Sequence, residues 1–304
     1  MVTFVDETVT ATVPATSANL GPGFDSLGLA LSLRDELSVR VTDSGVSVDV
    51  SGAGEASVPR DETHLVVRSM LAAFDRMGGR PSGLALTCSN RIPHGRGLGS
   101  SSAAIVAGVA LARGLVAGGT LLIDDDGLFA LAAEIEGHPD NVAPALFGGL
   151  VISGRETGRF YAVSADVDPR VSAVVFVPPT PVATTVARGL LPATVPHADA
   201  AADAGRTALL VAALAGRPEH LLLATRDYLH QDYREPAMPE SLALMRSLRA
   251  DGVPATVSGA GPTVLAFCDG PACTPGSAEV LLDRCPDGWE AQHLRVEREG
   301  VLVS

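Results

Sequence analysis

The residues best suited to chemistry stand in one run, Pro93-His94-Gly95-Arg96-Gly97-Leu98-Gly99-Ser100-Ser101-Ser102-Ala103-Ala104. Glycines let a backbone approach an anion closely, and the free N–H groups and positive dipole end of a starting helix favour phosphate. The serines can cap that helix or place an oxygen on a divalent cation, while Ala103, Ala104 and Ala107 keep it slim. Taken alone, the run also reads as a glycine turn with a serine cap. A dinucleotide fingerprint does not fit, because the last glycine spacing is wrong and no parallel βαβ unit surrounds it.

Two further segments carry polar groups among glycines. Residues 14–25, PATSANLGPGFD, set Ser17, Asn19 and Asp25 directly after a strand, where loop side chains can converge on a small polar ligand or simply close a hairpin. Ser258-Gly259-Ala260-Gly261-Pro262-Thr263 lies between two strands and by itself is a tight turn.

Charge narrows what such loops can hold and how. The net charge is -13, which opposes a sequence-independent grip on nucleic acid or an anionic membrane. All 22 basic residues are arginine, so the Walker A loop, the protein-kinase strand lysine and Schiff-base or pyridoxal chemistry are excluded together. If phosphate is bound, backbone amides, a metal ion and arginine must hold it.

The positioning elements follow from periodicity. Alternation predicts strands over 8–13, 37–42 and 46–50, with the glycine-rich stretch 19–28 as an intervening loop. A helix is expected over 62–77, a strand over 84–89, then the glycine loop and a small-residue helix from about Ser100. Helical segments 128–136 and 141–147 bracket His138-Pro139-Asp140, and strands return at 150–153, 160–163 and 172–177. Beyond Pro178-Pro179, helical spacing covers 198–215, 219–231 and 240–250. Strand, turn and strand span 255–267, with a helix near 277–284 and a last strand at 293–296. Mixed elements without strict βα alternation give an α+β class. With 304 residues, 46% of them hydrophobic, two domains are expected, 1–155 and 156–304.

The apolar stretch 103–123 is interrupted by Arg113 and Gly118-Gly119, so no membrane span is read there, and the acidic N-terminus does not resemble a signal peptide. Cys88, Cys268, Cys273 and Cys285 have neither metal-site nor disulfide-framework spacing, and a reducing cytoplasm is the expected location.

Together, in this order, the three loops resemble the three motifs of the GHMP kinases, the family of galactokinase, homoserine kinase, mevalonate kinase and phosphomevalonate kinase. The match spans residues 14–263. PATSANLGPGFD followed by GLALSL, and EGHPDNVAPALFGG at 136–149, are similar to the homoserine kinase branch. So are Thr184-x-x-x-Arg188-x-x-Leu191-Pro192 and His230-Gln231-Asp232-Tyr233-Arg234-Glu235-Pro236. The galactokinase GRTNLIGEH-like stretch is missing, and Asn141 stands where mevalonate kinases place a catalytic aspartate.

The resemblance implies a ribosomal-S5-domain-2-like N-terminal domain, a ferredoxin-like C-terminal domain and a site in the cleft between them. It implies ATP-dependent phosphorylation of the homoserine hydroxyl, a step toward threonine. Another GHMP kinase acting on a small alcohol, or a catalytically silent metabolite-binding paralogue, is the alternative. ATP would lie on Pro93 to Ala103, and the substrate among Asn19, Asp25, His138, Asp140, Arg188, Arg234 and Gly261. Forked arginine donors suit the substrate carboxylate, and Asp25 and Asp140 suit its ammonium and hydroxyl end. Mg²⁺ is assigned to Ser101 and Glu134; Glu136 lies nearly opposite on the helix, so only one of the two glutamates can face the metal. Asp140 is the fallback base, with Thr184 orienting the γ-phosphate or hydroxyl and Asn141 beside them. Partners are thus ATP and homoserine, with neither nucleic acid nor membrane, and a homodimer as the one protein partner considered.

Overall fold

The computed structural model describes residues 2–268 and 276–304; Cys273 lies outside them. Its first sheet grows from a long hairpin, β1 (Val9–Asn19) and β2 (Gly23–Thr42). The stretch expected as a loop over 19–28 is therefore mostly strand, turning only at Leu20, Gly21 and Pro22. Its glycines, with Asn19, Pro22 and Asp25, conceal it, since these residue types are poor strand formers by propensity. Gly28 is required by packing instead. A Cβ on Gly28 would lie 1.8 Å from the Asp140 carbonyl oxygen, so the strand backbone can pass directly beneath the Asp140 loop only because this residue is glycine.

β3 (Gly45–Gly52) runs parallel to β4 (Gly83–Asn90), and β4 runs antiparallel to β2. β5 (Leu150–Glu156) joins the inner part of β2 and pairs with β6 (Arg159–Ala165). Helices α1 (Leu65–Met77), α2 (Ser100–Leu115), α3 (Gly119–Leu122), α4 (Asp125–Glu136) and α5 (Val142–Phe147) belong to this half. α1 starts later than the expected residue 62, because the Asp61 carboxylate accepts from both the N–H and the hydroxyl of Thr63 and holds a turn there. α2 lies at the centre, packed on α1, α4, α5 and β1, and its small side chains allow that approach.

The second sheet is antiparallel, in the order β10 (Glu290–Arg295), β7 (Ser172–Val177), β9 (Val264–Cys268), β8 (Ala255–Val257). Around it stand α6 (Thr184–Gly189), α7 (His197–Gly216), α8 (Leu221–Ala224), α9 (Pro239–Ala250) and α10 (Ala278–Leu282). The helix expected over 219–231 breaks up. The Asp227 carboxylate accepts from the N–H groups of Leu229, His230 and Gln231 and so replaces helical partners with a side-chain turn.

The chain crosses between sheets after Ala165, because β6 completes the first sheet. β11 (Leu302–Val303) then returns to the first sheet, beside β1. Ala173, Val175, Leu265 and Phe267 of the second sheet belong to the same apolar cluster as the first half, which fixes the cleft between them. Among the described residues no helix is long and apolar enough to cross a membrane.

Candidate active site

The three glycine-containing loops meet at one place. Gly99 begins α2 with φ 71°, and a Cβ there would lie 1.9 Å from the Thr16 hydroxyl, so glycine is required on both counts. The Thr16 N–H donates to the Leu98 carbonyl at 3.1 Å. Ser258 Oγ sits 2.6 Å from the Gly97 carbonyl and 2.8 Å from Ser17 Oγ, which knits all three loops together. Leu98 and Ala103 are buried in the core, so the loop offers its backbone to a ligand. Arg96 does not line the cavity as expected: its guanidinium donates to the carbonyls of His94, Pro178 and Pro179, fastening the loop to the second half.

Above the loop lies a polar cavity of about 120 Å³. Gly95, Gly97, Gly99, Ser100 and Ser101 form one wall; Glu136, His138, Asp140 and Asn141 form the second; Thr184, Arg188, Arg234, Gly259 and Ala260 come from the other half of the chain, with Asn19 at the edge.

The carboxylate that meets the serines is Glu136, not the expected Glu134. Glu136 Oε2 accepts from the Ser101 hydroxyl and Oε1 from that of Ser102, each at 2.8 Å. The reason is helical phase. α4 buries Phe129, Ala132 and Ala133 against the core, and Glu136 follows them at spacings of seven, four and three, whereas Glu134 faces solvent.

Asp140 is 2% exposed. Its Oδ1 accepts from His138 Nδ1 at 2.7 Å and from the Asn141 N–H at 2.9 Å. Burial works against a charged His138, but the Asp140 hydrogen bond and charge, with Glu136 beyond, outweigh it and raise the imidazole above its ordinary value. Asn141 Oδ1 accepts from the Thr16 hydroxyl at 2.8 Å, and among the described residues the amide nitrogen has no partner.

Arg188 and Asp25, expected on opposite ends of the substrate, instead form a forked pair at 2.7 and 3.0 Å. Asp25 holds the Arg188 guanidinium above its ordinary value, chiefly through that hydrogen bond. Asn19 spends its amide on structure: Oδ1 accepts from the Asp25 N–H at 3.0 Å and Nδ2 donates to the Gly259 carbonyl at 2.8 Å. Gly261 does not face the cavity; it backs onto Met238, and Gly259 and Ala260 take its place.

Arg234 is 1% exposed. Nη1 donates to His230 Nδ1 at 2.9 Å and to the Gly259 carbonyl at 3.0 Å, while Nε is buried with no partner among the described residues. Burial, then the nearby Arg188, lowers its pKa to about 10, so it stays cationic at neutral pH. The Phe24 ring lies beneath both guanidiniums, at 5.8 Å from Arg188 and 5.7 Å from Arg234.

A second, mostly apolar cavity of about 280 Å³ shares Ser100 and Ser101 with the polar one and is otherwise lined by side chains such as Leu37, Val58, Val66 and Ala104. His64 on its wall is 5% exposed, has an unpartnered Nδ1, and is kept neutral by burial. A larger hollow of about 880 Å³, flanked by residues 164–172 and 293–299, contains none of these loops.

Sequence reasoning missed Phe24, Gly259, Ala260 and His230. The phase of α4 could have chosen Glu136; the others stand inside the segments singled out above, but no local pattern assigns them a role.

Beneath the hairpin tip, the Thr207 hydroxyl of α7 donates to the Pro22 carbonyl at 2.7 Å, and Asp203 Oδ1 accepts from the Tyr228 N–H at 3.0 Å. Burial, with the Asp227 charge, raises the Asp203 carboxyl to about 6. The folded state thus holds this proton more tightly than the unfolded one. Its stability contribution is complete below the ordinary carboxyl value of 3.8 and is lost as pH rises through about 6. Asp203→Asn, which keeps the acceptor, should raise Tm at pH 8 and leave it unchanged at pH 4; thermal melts at the two pH values check this.

The chain matches the model of the GHMP kinases N-terminal domain over residues 64–149 and that of the GHMP kinases C-terminal domain over 209–282. It is 57% identical over 291 residues to a homoserine kinase of Streptomyces coelicolor, covering 96% of this chain and 93% of that one. It is 51% identical to a homoserine kinase of Clavibacter michiganensis, covering 96% and 92%. The crystal structure of homoserine kinase from Cytophaga hutchinsonii superposes with a TM-score of 0.83 at 27% identity, covering 99% of this chain and 98% of that one. The chain belongs to the GHMP kinase family, on the branch of the homoserine kinases.

Proposed function

We propose that this chain transfers the γ-phosphoryl group of Mg-ATP to the side-chain hydroxyl of L-homoserine, giving O-phosphohomoserine and ADP. The observation that carries this reading is the polar cavity itself. It sets a buried arginine with an unpartnered Nε across from a helix N-terminus and a carboxylate–serine cluster, which matches an amino acid on one side and a phosphate chain on the other. The two cavities meet at Ser100 and Ser101, so the adenosine occupies the apolar one while its phosphates pass over the glycine loop.

Glu136 with Ser101 is a hard-oxygen donor pair that fits Mg²⁺, and phosphate oxygens and water would complete the shell. The ion, when bound, neutralises charge on the β- and γ-phosphates. The remaining work belongs to the protein. Arg234 grips the substrate carboxylate, Asp25 in its Arg188 fork receives the ammonium, and Asp140 with Asn141 and Thr184 orients the hydroxyl for in-line attack. With a loose transition state, positioning rather than strong base catalysis sets the rate, and Asp140 is held as an acceptor by His138.

A coupled ADP-release assay across homoserine, mevalonate, serine and threonine tests the reading. Homoserine should be turned over far faster than the others; turnover of mevalonate without homoserine would overturn it. The nucleotide half has its own test. Ala104→Leu intrudes on the apolar cavity and should raise the ATP KM about tenfold while leaving the homoserine KM alone.

A further inference from the structure

We infer that His230 is a positioning residue for substrate recognition, which sets the edge of the Arg234 guanidinium presented to the carboxylate; this rests on the reading above that Arg234 binds that carboxylate. His230 is fully buried, and both of its ring nitrogens are engaged. Nε2 lies 2.7 Å from the Gly21 carbonyl, which can only accept, so Nε2 carries the proton. Nδ1 lies 2.9 Å from Arg234 Nη1, which can only donate, so Nδ1 is the lone-pair nitrogen. The ring is thereby fixed as the neutral Nε2–H tautomer, stacked on Phe24 at 5.1 Å between centroids.

The consequence falls on Arg234. A guanidinium has five N–H donors in a fixed fork, and Nη1 is occupied by His230 and by the Gly259 carbonyl. Among the described residues Nε and Nη2 have no partner, and Nε is buried. These two nitrogens share one edge of the guanidinium, and that edge suits a carboxylate side-on. The His230 acceptor therefore fixes the rotation of the group and leaves the bidentate edge for the ligand. Without it, Nη1 loses a partner in a buried place and the guanidinium can turn to recover it. The same ring ties Arg234 to the Gly21 turn, which joins the strands bearing Asn19 and Asp25, so carboxylate and ammonium subsites are held at a fixed separation.

Three substitutions separate these contacts. His230→Asn keeps an acceptor near Nδ1, His230→Gln keeps a donor near Nε2, and His230→Phe keeps only the ring stack. Each is assayed with homoserine and with the amino alcohol that is homoserine without its carboxylate. Expected is a homoserine KM raised roughly tenfold or more in the Gln and Phe variants, the scale of one unmatched buried donor, and within a few-fold of the parent in Asn. The ATP KM and the KM for the amino alcohol should not move. A defect in Asn but not Gln, equal losses for Asn and Gln, or no change in Phe would overturn the assignment. Arg234→Ala is run alongside. If it too spares the preference for homoserine over the amino alcohol, the carboxylate reading itself fails; if it abolishes that preference while His230→Phe does not, only the role of His230 fails.

Discussion

Glu136→Gln should lower kcat/KM for Mg-ATP by about a hundred- to a thousandfold, the scale of one preorganised electrostatic partner, whereas Glu134→Gln should stay within about twofold. Both carry the same formal charge and sit two residues apart, so the contrast isolates geometry. Glu136 closes the N-terminus of α2 through Ser101 and Ser102, and on the proposed reading its charge is placed where a cation would meet the phosphates. Glutamine keeps an acceptor oxygen for one serine but gives up the negative charge, so Tm should change little while the Mg²⁺ concentration for half-maximal rate rises. Ser101→Ala should show the same Mg²⁺ dependence in milder form. Full activity of Glu136→Gln at limiting Mg²⁺ would return the metal carboxylate to Glu134.

Much of this geometry is legible in the residues because it is local. The glycine-serine run announces a loop feeding a helix N-terminus, and the structure begins α2 at Ser100 as the spacing requires. His138-Pro139-Asp140 falls between helices as expected, and α9 and α7 follow their apolar periodicity to within a residue or two. What was misread depends on partners far along the chain. Residues 19–28 look like a loop because of their glycines, and one of these, Gly28, answers to the backbone of Asp140, more than a hundred residues away. The segment 219–231 has helical spacing, but one carboxylate, Asp227, takes the N–H groups a helix would need. Arg188 and Asp25 each look like a substrate ligand in isolation, and only the folded chain reveals that they first satisfy each other. His230 stands at the head of a segment similar to the homoserine kinases, yet nothing local marks its role, which lies in which atom of Arg234 it occupies.

The two arginines should separate in a second experiment. Arg234→Ala should raise the homoserine KM by roughly thirty- to several-thousandfold, corresponding to about 2–5 kcal/mol for a desolvated charge pair, with the ATP KM nearly unchanged. Arg188→Ala should cost less. Its guanidinium is half-exposed and already neutralises Asp25, so its removal loosens the ammonium subsite more than it strips the carboxylate of a donor. Arg234 has no such alternative: it is buried, its Nη1 is committed to His230 and Gly259, and its remaining edge has nothing else to meet. Lysine should therefore rescue Arg188 in part and Arg234 hardly at all. A single ammonium cannot hold the His230 acceptor, the Gly259 carbonyl and a bidentate carboxylate at once. Steady-state kinetics of the four variants, with homoserine and ATP varied in turn, measure both contrasts. Equal losses for Arg188→Ala and Arg234→Ala, or recovery of homoserine binding in Arg234→Lys, would mean that charge alone and not the fork holds the substrate.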